Sequence, residues 1–112
     1  MKQYETIELE LENGIATLVL NRPEFLNAMN LQMMNEIIDA LTIIINDSSL
    51  RVAVITGKGR SFMAGADIKE YAVQTPEQFK SFQQKGIKLY QMIENAGVPF
   101  IAAVNGLSLI HI

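Results

Sequence analysis

The chain has 112 residues, 49% of them hydrophobic and 19% charged, which is the profile of one soluble globular domain and leaves no room for two. Nine basic against twelve acidic side chains give a net charge of -3, so no basic surplus exists to neutralise duplex phosphates, and a general nucleic-acid role is disfavoured. The absence of cysteine excludes a disulfide scaffold, a zinc–thiolate site and a thiol nucleophile, and it fits a reducing compartment.

Residues 1–12 hold one lysine, four glutamates and no apolar run, so no targeting signal is expected there. The longest apolar stretches, Ile43-Ile44-Ile45 and Val52 to Ile55, fall far short of the roughly 20 residues that span a bilayer. A cytoplasmic protein with no membrane partner is expected.

Residues 4–11 alternate, with Ile7, Leu9 and Leu11 on one face and Glu8 and Glu10 on the other, which predicts a half-buried strand. Asn13-Gly14 tolerates the positive φ of a hairpin turn, and residues 15–20 read as the returning strand. Asn21-Arg22-Pro23 ends it, because proline cannot donate to a ladder. After a loop over 24–29, Asn30 is a suitable N-cap. Leu31, Met34, Ile37, Ile38, Leu41, Ile44 and Ile45 then follow at helical spacing, predicting an amphipathic helix over 31–46. Residues 51–56 form a continuous apolar run rich in β-branched side chains, the mark of a strand covered on both faces in a parallel sheet. Strand, helix, strand is the β-α-β unit.

Residues 57–61 read as a loop and 68–73 as a short helix. Thr75, Pro76 and Gln78 together mark a helix start with a capping box. That helix runs until Gly97 and Pro99 stop it, with Phe79, Phe82, Gly86, Leu89, Tyr90 and Ile93 as its expected buried stripe. Residues 100–104 form another short strand, and Asn105-Gly106 another turn.

The glycine loop invites a phosphate-binding reading but fits neither familiar template. It lacks Gly-x-x-x-x-Gly-Lys-Ser/Thr, and Gly57-x-Gly59 has no third glycine. A mobile surface turn is the plainer reading, with Lys58 and Arg60 as exposed charges. More informative is Phe62-Met63-Ala64-Gly65-Ala66-Asp67-Ile68. Small residues after a strand and before a helix let a ligand approach the main chain and meet its N–H groups. Two such donors converging on a carbonyl oxygen make an oxyanion hole; a tight turn needing small residues is the alternative. The lone histidine, His111, beside leucine and isoleucine reads as structural. No serine, aspartate or second histidine stands at a triad or metal-site spacing. The carboxylates Asp39, Asp47, Glu70, Glu77 and Glu94 read as solvated surface, and Met33-Met34 as helix core or rim.

Four pieces, in order and at the expected separations, resemble the enoyl-CoA hydratase/isomerase family, the crotonases. They are Leu20-Asn21-Arg22-Pro23 with Leu26-Asn27-Ala28; Val54-Ile55-Thr56-Gly57 with Gly59 and Phe62; Ala64-Gly65-Ala66-Asp67-Ile68-Lys69-Glu70; and Pro99-Phe100-Ile101-Ala102-Ala103-Val104-Asn105-Gly106. The resemblance implies an α/β fold, a crotonase-like ββα spiral (superhelix) incomplete at the carboxy terminus. It implies an acyl-CoA thioester as substrate, no separate cofactor, no metal, and a homotrimeric or hexameric parent. Leu26, Ala28, Ala64, Ala66, Asp67, Ile68 and Lys69 fall where the family shapes its CoA site. The main-chain N–H of Ala66 falls where the family places one of two oxyanion donors.

The family pattern continues beyond Asn105-Gly106 into a glycine-rich segment with the second donor, then a helix with a catalytic glutamate. Ile110-His111-Ile112 stands here instead. Residues 1–106 are therefore expected to be the amino-terminal part of a crotonase core domain, and 107–112 a truncated or foreign end. The expected parent activity is hydration of a trans-2-enoyl-CoA. An isomerase, or a non-catalytic CoA-binding module, is the alternative, and the chain by itself is expected to be inactive.

Overall fold

The computed structural model describes residues 3–108. The amino-terminal hairpin is β1 (Ile7–Glu12) and β2 (Ile15–Leu20), antiparallel and joined by Asn13 and Gly14, both at positive φ. A single 3-10 turn (Pro23–Phe25) leads to α1 (Leu31–Asn46), whose first turn is capped by the Asn30 side chain accepting from Met33 N–H at 2.8 Å. There follow β3 (Val52–Gly57), β4 (Ser61–Met63), α2 (Ile68–Ala72), α3 (Pro76–Asn95), β5 (Phe100–Ala103) and β6 (Leu107–Ser108). The Thr75–Gln78 capping box is formed in both directions.

The main sheet has the order β1-β2-β3-β5. Its β2–β3 and β3–β5 pairs are parallel, and α1 and α3 lie within the two crossovers. Strand β4 pairs in parallel with β6 in a second, two-stranded sheet. The main core lies between the first sheet and α1. Ile7, Leu18, Leu20, Met33, Met34, Ile37 and Leu41 are all nearly or wholly inaccessible there, and Phe82 and Leu89 of α3 close it from above. A satellite cluster of Ala16, Ile44, Leu50 and Ala53 seals the far end of α1.

Several expectations shift. The first strand starts at Ile7 rather than at residue 4. The N–H groups of Glu5 and Thr6 bond the carboxylate of Glu36 on α1 instead of a neighbouring strand. Within β3 only Ala53 is fully buried. Val52, Val54 and Thr56 stay partly exposed, and Ile101, beside Val54 in the sheet, is 54% exposed. Two-sided cover of β3 is therefore not found among the described residues, because both crossover helices pack on one side. On α3 the buried positions reduce to Phe82 and Leu89, seven residues apart. Phe79 and Tyr90 lie at the edge of the stripe and are exposed, Phe79 leaning on Tyr71 at 5.3 Å between ring centroids. Leu31 and Ile45 are exposed at the two ends of α1 for the same reason. The Met33-Met34 pair is core. His111 and the rest of 109–112 lie outside the described residues.

Two expected outcomes follow from this packing. Leu41→Ala removes a wholly buried side chain and should cost about 2–5 kcal/mol of unfolding free energy, whereas Val73→Ala, at an 81% exposed site, should stay within about 0.5 kcal/mol; urea denaturation of both variants checks the contrast. Glu36 supplies the second. Burial pulls its carboxyl upward, but the Thr6 hydroxyl (2.6 Å), the Thr6 and Glu5 amides and Gln32 outweigh that and hold it below its ordinary value of 4.5. The folded state thus binds this proton less readily than the unfolded chain does. The associated stability is present above the ordinary value and is lost as pH falls through the lowered one. Thermal midpoints of wild type should drop more steeply through that acid range than those of Glu36→Gln.

Candidate functional site

Three short segments converge at the carboxyl end of β2. Leu20 leads into Asn21-Arg22-Pro23, and the chain then turns sharply, with Leu26 and Asn27 both at positive φ (54° and 58°). Asn27 tolerates that conformation and is wholly buried; Leu26 is an outlier held in place by its surroundings. The surroundings are specific. Asn27 Oδ1 accepts from Arg22 N–H at 2.7 Å, and Nδ2 donates to the carbonyls of Lys58 (3.1 Å) and Ser61 (3.0 Å). From the other side Asn105 Nδ2 donates to the carbonyls of Gly59 and Ser61, while its Oδ1 accepts from Gly57 N–H.

The glycine loop is a surface turn, exposed at residues 58–60, and two asparagines staple it. Its first two N–H groups, those of Gly57 and Lys58, are bonded to Asn105 and to the Leu20 carbonyl and so are not offered to a phosphate. A Cβ on Gly57 would lie 2.3 Å from the Ser61 carbonyl oxygen, which is why glycine stands there. Lys58 is exposed but pairs with Glu8 at 2.7 Å.

The turned segment 26–29 runs alongside 64–67. Ala64 N–H donates to the Leu26 carbonyl (3.1 Å), Met29 N–H to Gly65 (2.7 Å) and Asp67 N–H to Met29 (2.9 Å), forming a one-bridge parallel pairing of Met29 with Ala66. In this parallel bridge Met29 uses its own N–H and C=O, and bonds the two residues flanking Ala66, so Ala66 turns its own N–H and C=O away from Met29. The Ala66 amide is thus directed away from 26–29 and has no hydrogen-bond partner among the described residues. The amides of Gly65 and Ile68 are likewise unpartnered there, whereas those of Lys69 and Glu70 are consumed by the Asp67 carboxylate, the N-cap of α2. The expectation that the helix start presents several N–H groups therefore narrows to the amides around Ala66.

Of the residues that the resemblance assigns to binding, Leu26, Ala28, Ala64, Ala66 and Asp67 lie together on these paired segments, all partly buried. Ile68 (77% exposed) and Lys69 stand at their rim on α2. Beside the pairing lies an apolar cavity of about 150 Å³, walled by Leu20, Met29, Ile55, Phe62, Met63 and Leu89 among others. Of the carboxylates expected on the surface, Glu77 and Glu94 are exposed, while three make hydrogen bonds. Glu70 Oε1 accepts from Leu31 N–H at 2.7 Å, Asp39 from the Tyr4 hydroxyl at 2.6 Å, and Asp47 from Ser49.

The residues that the resemblance assigns to binding do not include Arg22 and Asn27, which hold the paired segments together. Arg22 is 8% exposed, pairs with Asp67 and stacks on Phe25 with its guanidinium carbon 4.5 Å from the ring centre. The available signal was only an arginine within a strand-ending Asn-Arg-Pro, and the nearest acidic residue in the chain, Glu24, is not its partner. The partner is 45 positions away.

The profile of the family described as enoyl-CoA hydratase/isomerase matches residues 10–109. The chain is 41% identical over 107 residues to the crotonyl-CoA hydratase of Syntrophomonas wolfei, covering 95% of this chain and 41% of that protein. Its fold superposes on crystal structures of enoyl-CoA hydratases from Bacillus anthracis (TM-score 0.86, 32% identity, 91% of this chain and 40% of the other) and from Thermoplasma volcanium (0.84, 38% identity, 90% and 40%). The matched profile and a mixed α/β fold of the crotonase type define the class: the chain belongs to the enoyl-CoA hydratase/isomerase family. It spans about two-fifths of the length of these relatives.

Asn27 should prove to be the local keystone. Asn27→Gly preserves the positive φ yet strands the Lys58 carbonyl and the Arg22 amide, each otherwise bonded to the side chain. The expected loss is on the order of 2–4 kcal/mol, read by chemical denaturation.

Proposed function

We propose that the chain is the acyl-CoA-binding part of an enoyl-CoA hydratase whose whole form adds water to a trans-2-enoyl-CoA, giving a 3-hydroxyacyl-CoA. The Ala66 N–H takes the thioester oxygen. Addition to the enoyl double bond builds enolate charge on that oxygen, and a fixed donor stabilises the charge more than it stabilises the ground-state carbonyl. One such donor is typically worth about 3–4 kcal/mol. The observation that carries the reading is the Ala66 amide, which the bridge to Met29 leaves unpartnered while fixing its direction. Leu26, Ala28, Ala64, Asp67, Ile68 and Lys69 surround the CoA portion, and the apolar cavity lined in part by Met29 and Met63 takes the acyl chain. The crotonyl-CoA hydratase of Syntrophomonas wolfei supports water addition over double-bond isomerisation.

In this reading no cofactor besides the substrate takes part, the whole enzyme assembles as a homotrimer or hexamer, and it works in the cytoplasm. The 112-residue chain by itself binds without hydrating. Hydration needs a carboxylate free to activate water. The carboxylates beside Ala66 are engaged: Asp67 with Arg22 and the start of α2, Glu70 with the Leu31 amide.

Titration of the chain with crotonyl-CoA, followed by calorimetry and by the conjugated enoyl absorbance, tests this. Heat of binding with unchanged absorbance is expected. Ala66→Pro deletes the donor and should weaken crotonyl-CoA roughly 2- to 10-fold, the worth of one hydrogen bond, while leaving free coenzyme A unaffected. Absence of binding, equal weakening of both ligands, or turnover by the chain would each defeat the proposal.

A further inference from the structure

We infer that Arg22 is a positioning residue for the Ala66 donor, acting through the two segments that frame it. The inference rests on the reading of Ala66 as the thioester contact and assigns a task to a side chain outside that contact.

The bridge that orients Ala66 is minimal. Two hydrogen bonds, Met29 N–H to Gly65 (2.7 Å) and Asp67 N–H to Met29 (2.9 Å), define it, and only Ala64 N–H to Leu26 extends it. A long ladder resists twisting, whereas a single bridge depends on its flanks. Arg22 supplies them. Its Nη1 donates to the carbonyl of Ala28, the residue before Met29, and its Nη2 meets Asp67 Oδ2 at 3.2 Å, the residue after Ala66. One planar fork thus spans the bridge diagonally and sets the separation of its two edges.

Every joint of that fork is restrained. The guanidinium rests on the Phe25 ring. The Arg22 backbone is closed onto Asn27 through its N–H to Asn27 Oδ1 and through Asn27 N–H to its carbonyl. Asp67 cannot swing away, because Oδ1 caps α2 while Oδ2 faces Arg22. Both partners are largely buried, with side chains 10% and 18% exposed, which limits the competition of water for the pair. A lysine carries one compact charge and no rigid fork, so it can satisfy one acceptor but not fix the distance between two.

The test uses the 112-residue chain and two variants, Arg22→Lys and Asp67→Asn. The second retains a side-chain oxygen for the α2 cap, so it separates loss of the clamp from loss of the helix. Two quantities are measured: the infrared stretch of crotonyl-CoA labelled with carbon-13 at the thioester carbonyl, at saturating ligand, and the residual dipolar coupling of the Ala66 N–H without ligand. Wild type should lower the carbonyl frequency on binding, and both variants should lose most of that shift and change the dipolar coupling. A wild-type frequency shift in either folded variant overturns the inference. If wild type itself produces no shift, the reading of Ala66 as the thioester contact fails, and the ligand-free coupling still decides the task of Arg22: unchanged in the variants, it overturns the positioning role; changed, it upholds it.

Discussion

A single parallel bridge between Met29 and Ala66 carries the site. Hydrogen bonding alone could not hold so short a pairing against the conformational entropy of two loops. What holds it is the burial of polar side chains whose bonding is satisfied: Asn27 with three backbone partners, and Arg22 with a carbonyl and a carboxylate. Buried polar groups are costly when orphaned, so each is satisfied in one arrangement only. The local geometry is thereby specified rather than merely stabilised.

Stability and site geometry are supplied by different parts of the chain. The sheet and α1 bury the large aliphatic side chains and form a continuous apolar layer. The site lies at the end of that layer, where strands give way to loops. Leu20 and Met29 belong to both, because their side chains enter the core while the backbone around them begins the turn. A ligand at Ala66 would therefore meet backbone groups anchored on a rigid floor, the arrangement that lets a fixed donor act without reorganising.

The open side of the sheet is the counterpart of this one-sided packing. Ile101 of β5, with Val104 and Leu107 just beyond it, is among the exposed apolar side chains. The chain matches family members over only about two-fifths of their length. The described residues place both crossover helices on one face and leave β5 at the edge of the sheet.

Much of this was legible in the sequence. Alternation marked the hairpin, Asn13-Gly14 its turn, and Asn30 and Thr75 their helices. These are local effects: a residue's own φ preference, its cap, its period. Burial at the edges of helical stripes was not legible, because which edge positions of α3, such as Phe79 and Tyr90, are covered depends on how far the packing of the core reaches. Nor was the pinning of the glycine loop, nor the Arg22–Asp67 pair, whose members are brought together only by the β2–α1–β3 crossover. Elements, caps and the small-residue segment were determined by the sequence itself through short-range sterics and hydrogen bonding. The direction of the Ala66 amide, and the side chains that secure it, were decided by tertiary structure, because they depend on contacts across more than thirty residues of chain.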